Sequence, residues 1–278
     1  MILVDYSQIF HSTAYATART PEITPDLIPH IVFNTIRNIK MKFSSEEYGE
    51  IVICCDSKKN WRKSVYEYYK ANRQKSREDS GMDWNYLFSV SDSIKLALKE
   101  KSPYKVIEVE TAEGDDIIGT LSTTFGKHII VSNDKDFGQL LGPNVKQYAP
   151  LTSEFIKIDN PKAFLIEHII KGDSSDGIPN ILSSDNVFII KERQKSITAK
   201  FLASIESIEQ LENWCKTNNL EANFKRNQKL IDLSCIPADI SLSIMEEYGK
   251  PAKGNRTTLM EYFMANGMVK LLEDLQNF

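Results

Sequence analysis

No apolar run in this 278-residue chain approaches membrane-spanning length, and the opening Met1-Ile2-Leu3-Val4-Asp5 lacks the basic segment and long apolar core of a signal peptide. A transmembrane helix is excluded on that count, and cytoplasmic residence is the expectation. Cysteine is scarce: Cys54, Cys55, Cys215 and Cys235 show no CxxC spacing, and the first two are adjacent inside a strand-like run. Reduced core thiols are expected rather than disulfides. The four histidines are scattered, which leaves no zinc motif. There is no internal repeat, low-complexity tract or glycine-rich phosphate loop. Without that loop or a His-Arg-Asp motif, Asp136-Phe137-Gly138 does not make the chain a kinase.

What is present is a globular composition, 41% hydrophobic and 26% charged, sufficient for a buried core and too apolar for wholesale disorder. β-Rich runs at Ile2 to Val4, Ile51 to Cys55, Val106 to Val109 and His128 to Ser132 alternate with helix-length stretches at Leu27 to Phe43, Met82 to Lys101 and Thr111 to Phe125. That alternation predicts an α/β fold, a mostly parallel central sheet flanked by helices. The runs Val145 to Tyr148 and Phe155 to Ile158 read as a hairpin-like appendix. Pro161, Pro179, Pro237 and Pro251 then punctuate a helical C-terminal region, with helices predicted over Lys162 to Lys171, Ile197 to Trp214, Ala238 to Tyr248 and Thr257 to Phe278. The expected division is an α/β core over residues 1–160 and a mainly helical region over 161–278.

Acids fall where strands end. Asp5 follows the first apolar run, Asp56 the second, and Asp134 with Asp136 the fourth. Ligands of an open parallel sheet bind beyond the carboxyl ends of its strands, so these side chains should converge on one edge. A single acid after a strand is ordinary turn chemistry; three strands ending alike are less easily dismissed. Thr111 is a plausible N-cap for the acids that follow it, Glu113, Asp115 and Asp116, and the helix dipole stabilises acids in a first turn. Three acids in four residues still repel unless a positive group lies between them. Asp173 and Asp176 form a further pair in a Gly/Pro-containing turn.

Oxygen-only ligation by these nine acids suits magnesium, with manganese as a substitute. Removing their charges turns the net −4 of the chain into +5, so the negative total belongs to the proposed site. Two such ions a few ångströms apart catalyse phosphodiester hydrolysis in general.

Between Lys58 and Arg77 eight basic residues face one acid, Glu67, a local charge of +7. Lys59, Lys63, Tyr66, Lys70, Arg73 and Arg77 recur every three or four residues. On one helix they would form a ridge about 80° wide that could follow a phosphate backbone, while Trp61, Tyr68 and Tyr69 could stack on unpaired bases. The bland alternative is a solvated helix with its tyrosines in the core.

The chain resembles the flap-endonuclease or 5′-nuclease family, most closely its phage ribonuclease H members. The resemblance runs through Val4-Asp5-Tyr6-Ser7-Gln8, Cys55-Asp56, Tyr69-Lys70-Ala71-Asn72-Arg73, Glu113-Gly114-Asp115-Asp116, Val131-Ser132-Asn133-Asp134-Lys135-Asp136-Phe137 and Gly172-Asp173-Ser174-Ser175-Asp176. It implies a 5′-to-3′ exonuclease and flap endonuclease acting on flaps, nicked duplex and RNA–DNA hybrids, with primer removal in phage-type replication inside a bacterial cell. It also implies two Mg2+ ions: Asp5, Asp56, Glu113, Asp115 and Asp134 would centre on the first, and Asp136, Asp173 and Asp176, with Asp116 nearby, on the second. Lys70 would contact the scissile phosphate and Arg73 would assist it, within a helical arch over residues 58–82 that passes the single-stranded 5′ end.

The family's helix-turn-helix-like grip on duplex DNA is altered here. Asp185-Asn186-Val187-Phe188-Ile189-Ile190 replaces the expected glycine-rich turn, although Lys191, Arg193, Lys195 and Lys200 follow. A single-strand-binding protein or sliding clamp is not readable from the residues, and a monomer is expected.

Three rivals remain to be weighed. A calcium loop beginning at Asp134 would need glutamate where Val145 stands. A haloacid-dehalogenase phosphatase would need an acid where Ser7 stands. A catalytically inactive nuclease-like DNA-binding protein is the non-enzyme alternative, and the intact acids argue against it.

Overall fold

A computed structural model of the protein describes residues 1–20, 27–124 and 126–278. The elements run β1 (Ile2–Asp5), α1 (Tyr6–Arg19), α2 (Ile28–Lys42), α3 (Ser45–Tyr48), β2 (Ile51–Cys54), α4 (Arg62–Val65), α5 (Asn72–Asp79), α6 (Trp84–Lys101), β3 (Lys105–Ile107), α7 (Gly114–Ser122), β4 (His128–Val131), β5 (Val145–Ala149) and β6 (Glu154–Ile156). The helices α8 (Pro161–Lys171), α9 (Ala199–Ala203), α10 (Ile208–Thr217), α11 (Glu221–Ile231), α12 (Ala238–Gly249), α13 (Arg256–Ala265) and α14 (Val269–Glu273) complete the chain. Among the described residues no helix is long and apolar enough to cross a membrane.

The sheet order is β3-β2-β1-β4-β5-β6, parallel except for the last pair. Strands β1, β2 and β4 are buried along their whole length, as unbroken apolar runs covered on both faces should be. Alternate side chains serve opposite faces. Ile2, Val4, Ile53 and Val131 join the core formed with α1, α2, α6 and α13, while Leu3, Val52, Cys54 and Ile130 pack towards α7 and α12. Because β2 and β4 flank β1 on opposite sides, the switch point of the sheet lies at the end of β1, with Asp5 level with Cys54 and Val4 with Val131.

Four local expectations change. The pair β5–β6 is no appendix: β5 lies in parallel register with β4 and extends the main sheet, since Tyr148 and Ala149 are buried in it. The helix predicted from Thr111 begins at Gly114, because Thr111 adopts a left-handed φ of 68° and Glu113 is the cap; its predicted last residue, Phe125, lies outside the described residues. The stretches predicted as single helices over 197–214 and 257–278 are each broken in two, α9 with α10 and α13 with α14. Helices α1 and α11 were not anticipated.

The C-terminal third does not build a core of its own throughout. Leu259, Phe263 and Phe278 complete the core on one face of the sheet and Ile240 and Ile244 the other, whereas a third cluster joins Tyr66 and Tyr69 to α8, α10 and α11. Residue 160 therefore divides the course of the chain more cleanly than it divides the packing.

Candidate active site and metal centre

Asp5 ends β1 and caps α1, accepting from Gln8 N at 3.0 Å, while Ser132 Oγ donates to its other oxygen at 2.7 Å. Asp56, two residues beyond β2, accepts from Ser7 Oγ and from Gly114 N, both at 2.6 Å. Asp134 follows β4 and caps a short 3-10 helix, accepting from Asp136 N at 2.9 Å. Strand topology thus brings acids from three strand ends to one edge, where Asp115 on α7 joins them. Burial raises the Asp5 carboxyl to about 7, with Asp56 and Asp134 adding to the effect. Burial and then Asp134 push Asp115 well above the ordinary carboxylate range. Burial followed by Asp134 also takes Asp136 to about 7.

A second tier of acids is already compensated. Burial opposes ionisation of Glu113, yet Lys70 and Arg62 outweigh it and hold the group at about 2. Its oxygens meet Lys70 Nζ, Tyr69 OH at 2.8 Å and Arg62 Nη1 at 3.0 Å. Asp176 pairs with Arg73 and accepts from Tyr69 OH at 3.0 Å, with Lys70 Nζ 3.4 Å away. Asp173 accepts from Ser175 and faces Lys135 and His168; against burial, His168, Ser175 and Lys135 hold it well below its usual range. The turn bearing both residues is anchored by Gly172 at φ 66°, where an added Cβ would lie 2.4 Å from Ile178 O.

Asp116 is a correction. Its carboxylate is fully buried and saturated by Arg62 Nη2 at 2.8 Å, Arg62 Nη1 and Trp61 Nε1 at 3.0 Å, and Glu113 N at 2.8 Å. At i,i+3 spacing Glu113 and Asp116 close the first turn of α7 and share the Arg62 guanidinium, so the positive group between them is an arginine rather than a metal ion.

The cationic segment is corrected too. It forms not one helix but α4 and α5, separated by a turn in which Lys70 adopts φ 57°. That turn is pinned to the aspartate loop: Lys70 N donates to Asp176 O at 2.8 Å, and Asn72 Nδ2 to Ser174 O at 3.0 Å. Tyr66, Tyr69 and Trp61 are buried and offer no face to a base. Even so, Lys59, Lys63, Lys70, Arg73 and Arg77 line one cavity of about 910 Å³ together with Asp56 and Glu113. A neighbouring cavity of about 420 Å³ shares Asp56, Arg73 and Arg77.

Lys191, Arg193 and Lys195 are exposed on a loop without regular helix, so the expected duplex-gripping helical turn is not formed there. Asn180 and Ser183 hold this loop instead, through Asn180 Nδ2 to Lys195 O at 2.7 Å and Lys195 N to Ser183 Oγ at 3.0 Å.

His168 belongs to no motif, the four histidines being scattered along the sequence. It lies on the last turn of α8, and its ring reaches the acids: ligand atoms of Asp136, His168 and Asp173 all lie within 4.8 Å of one another. A polar residue among Ile166, Ile169 and Ile170, five positions before Asp173, was the available signal.

The donor set fits divalent cations. Asp136 Oδ1 is buried without a hydrogen-bond partner, and carboxyls whose protons are retained near neutrality mark negative charge in want of a counterion. The sign of the pH effect follows. Asp5 and Asp136 titrate higher folded than unfolded, so without metal the folded state holds extra protons and loses stability as pH rises from about 4 to about 7. Saturating Mg2+ should therefore raise Tm more at pH 8 than at pH 5.5. Equal shifts at both values in thermal melts would mean that these acids do not take up the ion.

A family model for the 5′-3′ exonuclease N-terminal resolvase-like domain matches residues 1–167, and one for the T4 RNase H C-terminal region matches residues 160–278. The ribonuclease H of Enterobacteria phage T4 is 31% identical over 289 residues, spanning 99% of this chain and 95% of that protein. The flap endonuclease Xni of Shewanella piezotolerans is 33% identical over 135 residues, 44% of this chain and 49% of that protein. Among solved structures, T5 5′-exonuclease with bound zinc superposes with a TM-score of 0.65 at 15% identity, covering 98% of this chain and 99% of that one, a likeness of fold.

Proposed function

Because the chain belongs to the 5′-3′ exonuclease family and is a nuclease of that kind, we propose that it is a metal-dependent 5′-to-3′ exonuclease and flap endonuclease. Its substrates are flapped or nicked DNA and RNA–DNA hybrids, and its task is removal of RNA primers and 5′ flaps during phage-type replication in the bacterial cytoplasm. One observation carries the reading: Asp5, Asp56, Asp115 and Asp134 gather at the sheet edge, and Asp56, with Glu113, also lines a cavity walled by Lys59, Lys63, Lys70, Arg73 and Arg77.

Asp5, Asp56, Asp115 and Asp134 would hold one Mg2+ or Mn2+, and Asp136 with Asp173 a second, while Glu113 and Asp176, also expected as ligands, would bear on the ions through the Lys70 and Arg73 side chains they pair with. Two such ions supply an activated water and a counter-charge for the leaving oxygen. The chain's own cations do the rest. Lys63, Arg73 and Arg77 would draw in the phosphate backbone, and the Lys70 ammonium, held by Glu113 and Asp176, would meet charge building on the scissile phosphate.

A labelled 5′-flap should be cut with Mg2+ and left intact with chelator. Tight binding without cleavage in either condition would favour a DNA-binding module instead. Replacing Lys70 by Ala should slow single-turnover cleavage by about 10²–10³-fold with little change in flap Kd. A pure affinity loss would remove Lys70 from the chemistry.

A further inference from the structure

We propose that His168 supplies an imidazole nitrogen to the second cation, beside Asp136 and Asp173, and that this makes the second site prefer manganese or another divalent transition metal over magnesium. The inference rests on the two-cation reading above. Nε2 of His168 lies 3.4 Å from Asp173 Oδ2 and 3.7 Å from Asp136 Oδ1, without the alignment of a hydrogen bond to either. His168 is only 7% exposed, yet neither ring nitrogen meets hydrogen-bond geometry, and the facing Asp136 Oδ1 is also buried without a hydrogen bond. Buried polar atoms are paired in native proteins as a rule, so a donor nitrogen and an acid oxygen left open towards each other define a place for a shared ligand.

The spacing and the donor type point the same way. Octahedral Mg2+ with bonds of about 2.1 Å places neighbouring ligands about 3.0 Å apart. The separations of 3.4 and 3.7 Å are wider and suit longer bonds or a more open polyhedron. Magnesium keeps oxygen ligands and water, whereas imidazole is a good ligand for the transition metals. Two neighbours bear on the site. The Phe164 ring packs against the imidazole at a centroid distance of 5.9 Å and limits its rotation. Lys135 Nζ, 3.3 Å from Asp173 Oδ2, belongs to a side chain 61% exposed, which can swing into solvent as a cation arrives.

The test is Mn2+ titration of the full metal-depleted chain, counted by electron paramagnetic resonance, with spin-echo modulation reporting nitrogen ligands. Two Mn2+ per chain are expected, with modulation from a directly bound imidazole that changes on 15N-histidine labelling. His168→Gln should abolish that modulation and weaken one Mn2+ by at least about tenfold, with Mg2+ affinity by calorimetry barely moved; His11→Gln should retain the signal. The labelling experiment stands even if His168→Gln misfolds. Two Mn2+ ions without imidazole coupling overturn the proposal and leave the two-cation reading intact, His168 then being an ion-pair partner of the acids. Fewer than two Mn2+ per chain overturn both.

Discussion

Replacing Asp134 by Asn should lower turnover on a flap substrate by at least about 10³-fold and, in the same protein without metal, raise Tm. The two effects have one cause. Asp134 is the charge shared by its neighbours: it is among the groups that raise the carboxyls of Asp5, Asp115 and Asp136. Asparagine keeps the oxygen that accepts from Asp136 N at 2.9 Å, so the local turn survives while one negative charge leaves a crowded pocket. Each kcal/mol of repulsion relieved is worth roughly 2–4 °C in a chain of this size. With the charge would go one of the four carboxylates proposed to hold the first ion, and the chemistry that ion would supply. Parallel melts and single-turnover assays check both halves. Near-normal turnover would remove the proposed mechanism, and an unchanged or lowered metal-free Tm would show that the acids do not share a field.

The strand ends were legible because apolar runs buried on both faces are continuous, and because parallel topology forces their carboxyl ends to one edge. Asp5, Asp56 and Asp134 could be placed on that argument without coordinates. Contacts that sequence spacing does not encode were harder. Three-residue spacing between Glu113 and Asp116 fits a metal clamp and an N-terminal cap equally well, and only the approach of Arg62, 54 positions from Asp116, fills the place between the two acids with a guanidinium. A helical ridge through Lys59 and Arg77 was a sound reading of periodicity, but it could not foresee that Tyr66 and Tyr69 are drawn into the core with α8 and α11, breaking the helix at Lys70. His168 stayed hidden because one histidine on an apolar helix carries no spacing signal, and its two neighbours arrive separately, Asp173 through the bend at Gly172 and Asp136 from the segment after β4.

That same long-range pairing yields the largest expected loss of stability. Arg62 is 3% exposed and binds Asp116 through both terminal nitrogens, Glu113 through one of them, and Leu230 O through Nε at 3.0 Å. It ties α4 to the start of α7 and the end of α11, so the cationic segment, the acid-bearing helix and the C-terminal region meet on one guanidinium. Arg62→Ala leaves Asp116 charged, fully buried and short of its counterion, at a cost of about 3–5 kcal/mol. The double variant Arg62→Met, Asp116→Asn should recover much of that loss, because the charge is removed while an oxygen remains for Glu113 N and Trp61 Nε1. Urea denaturation of the single and double variants, both in chelator, reads the difference. If the double variant is no more stable than Arg62→Ala, the pairing with Asp116 is not what holds these three elements together, and the cost lies in losing the guanidinium from the face of Trp61, 4.6 Å from the ring centroid.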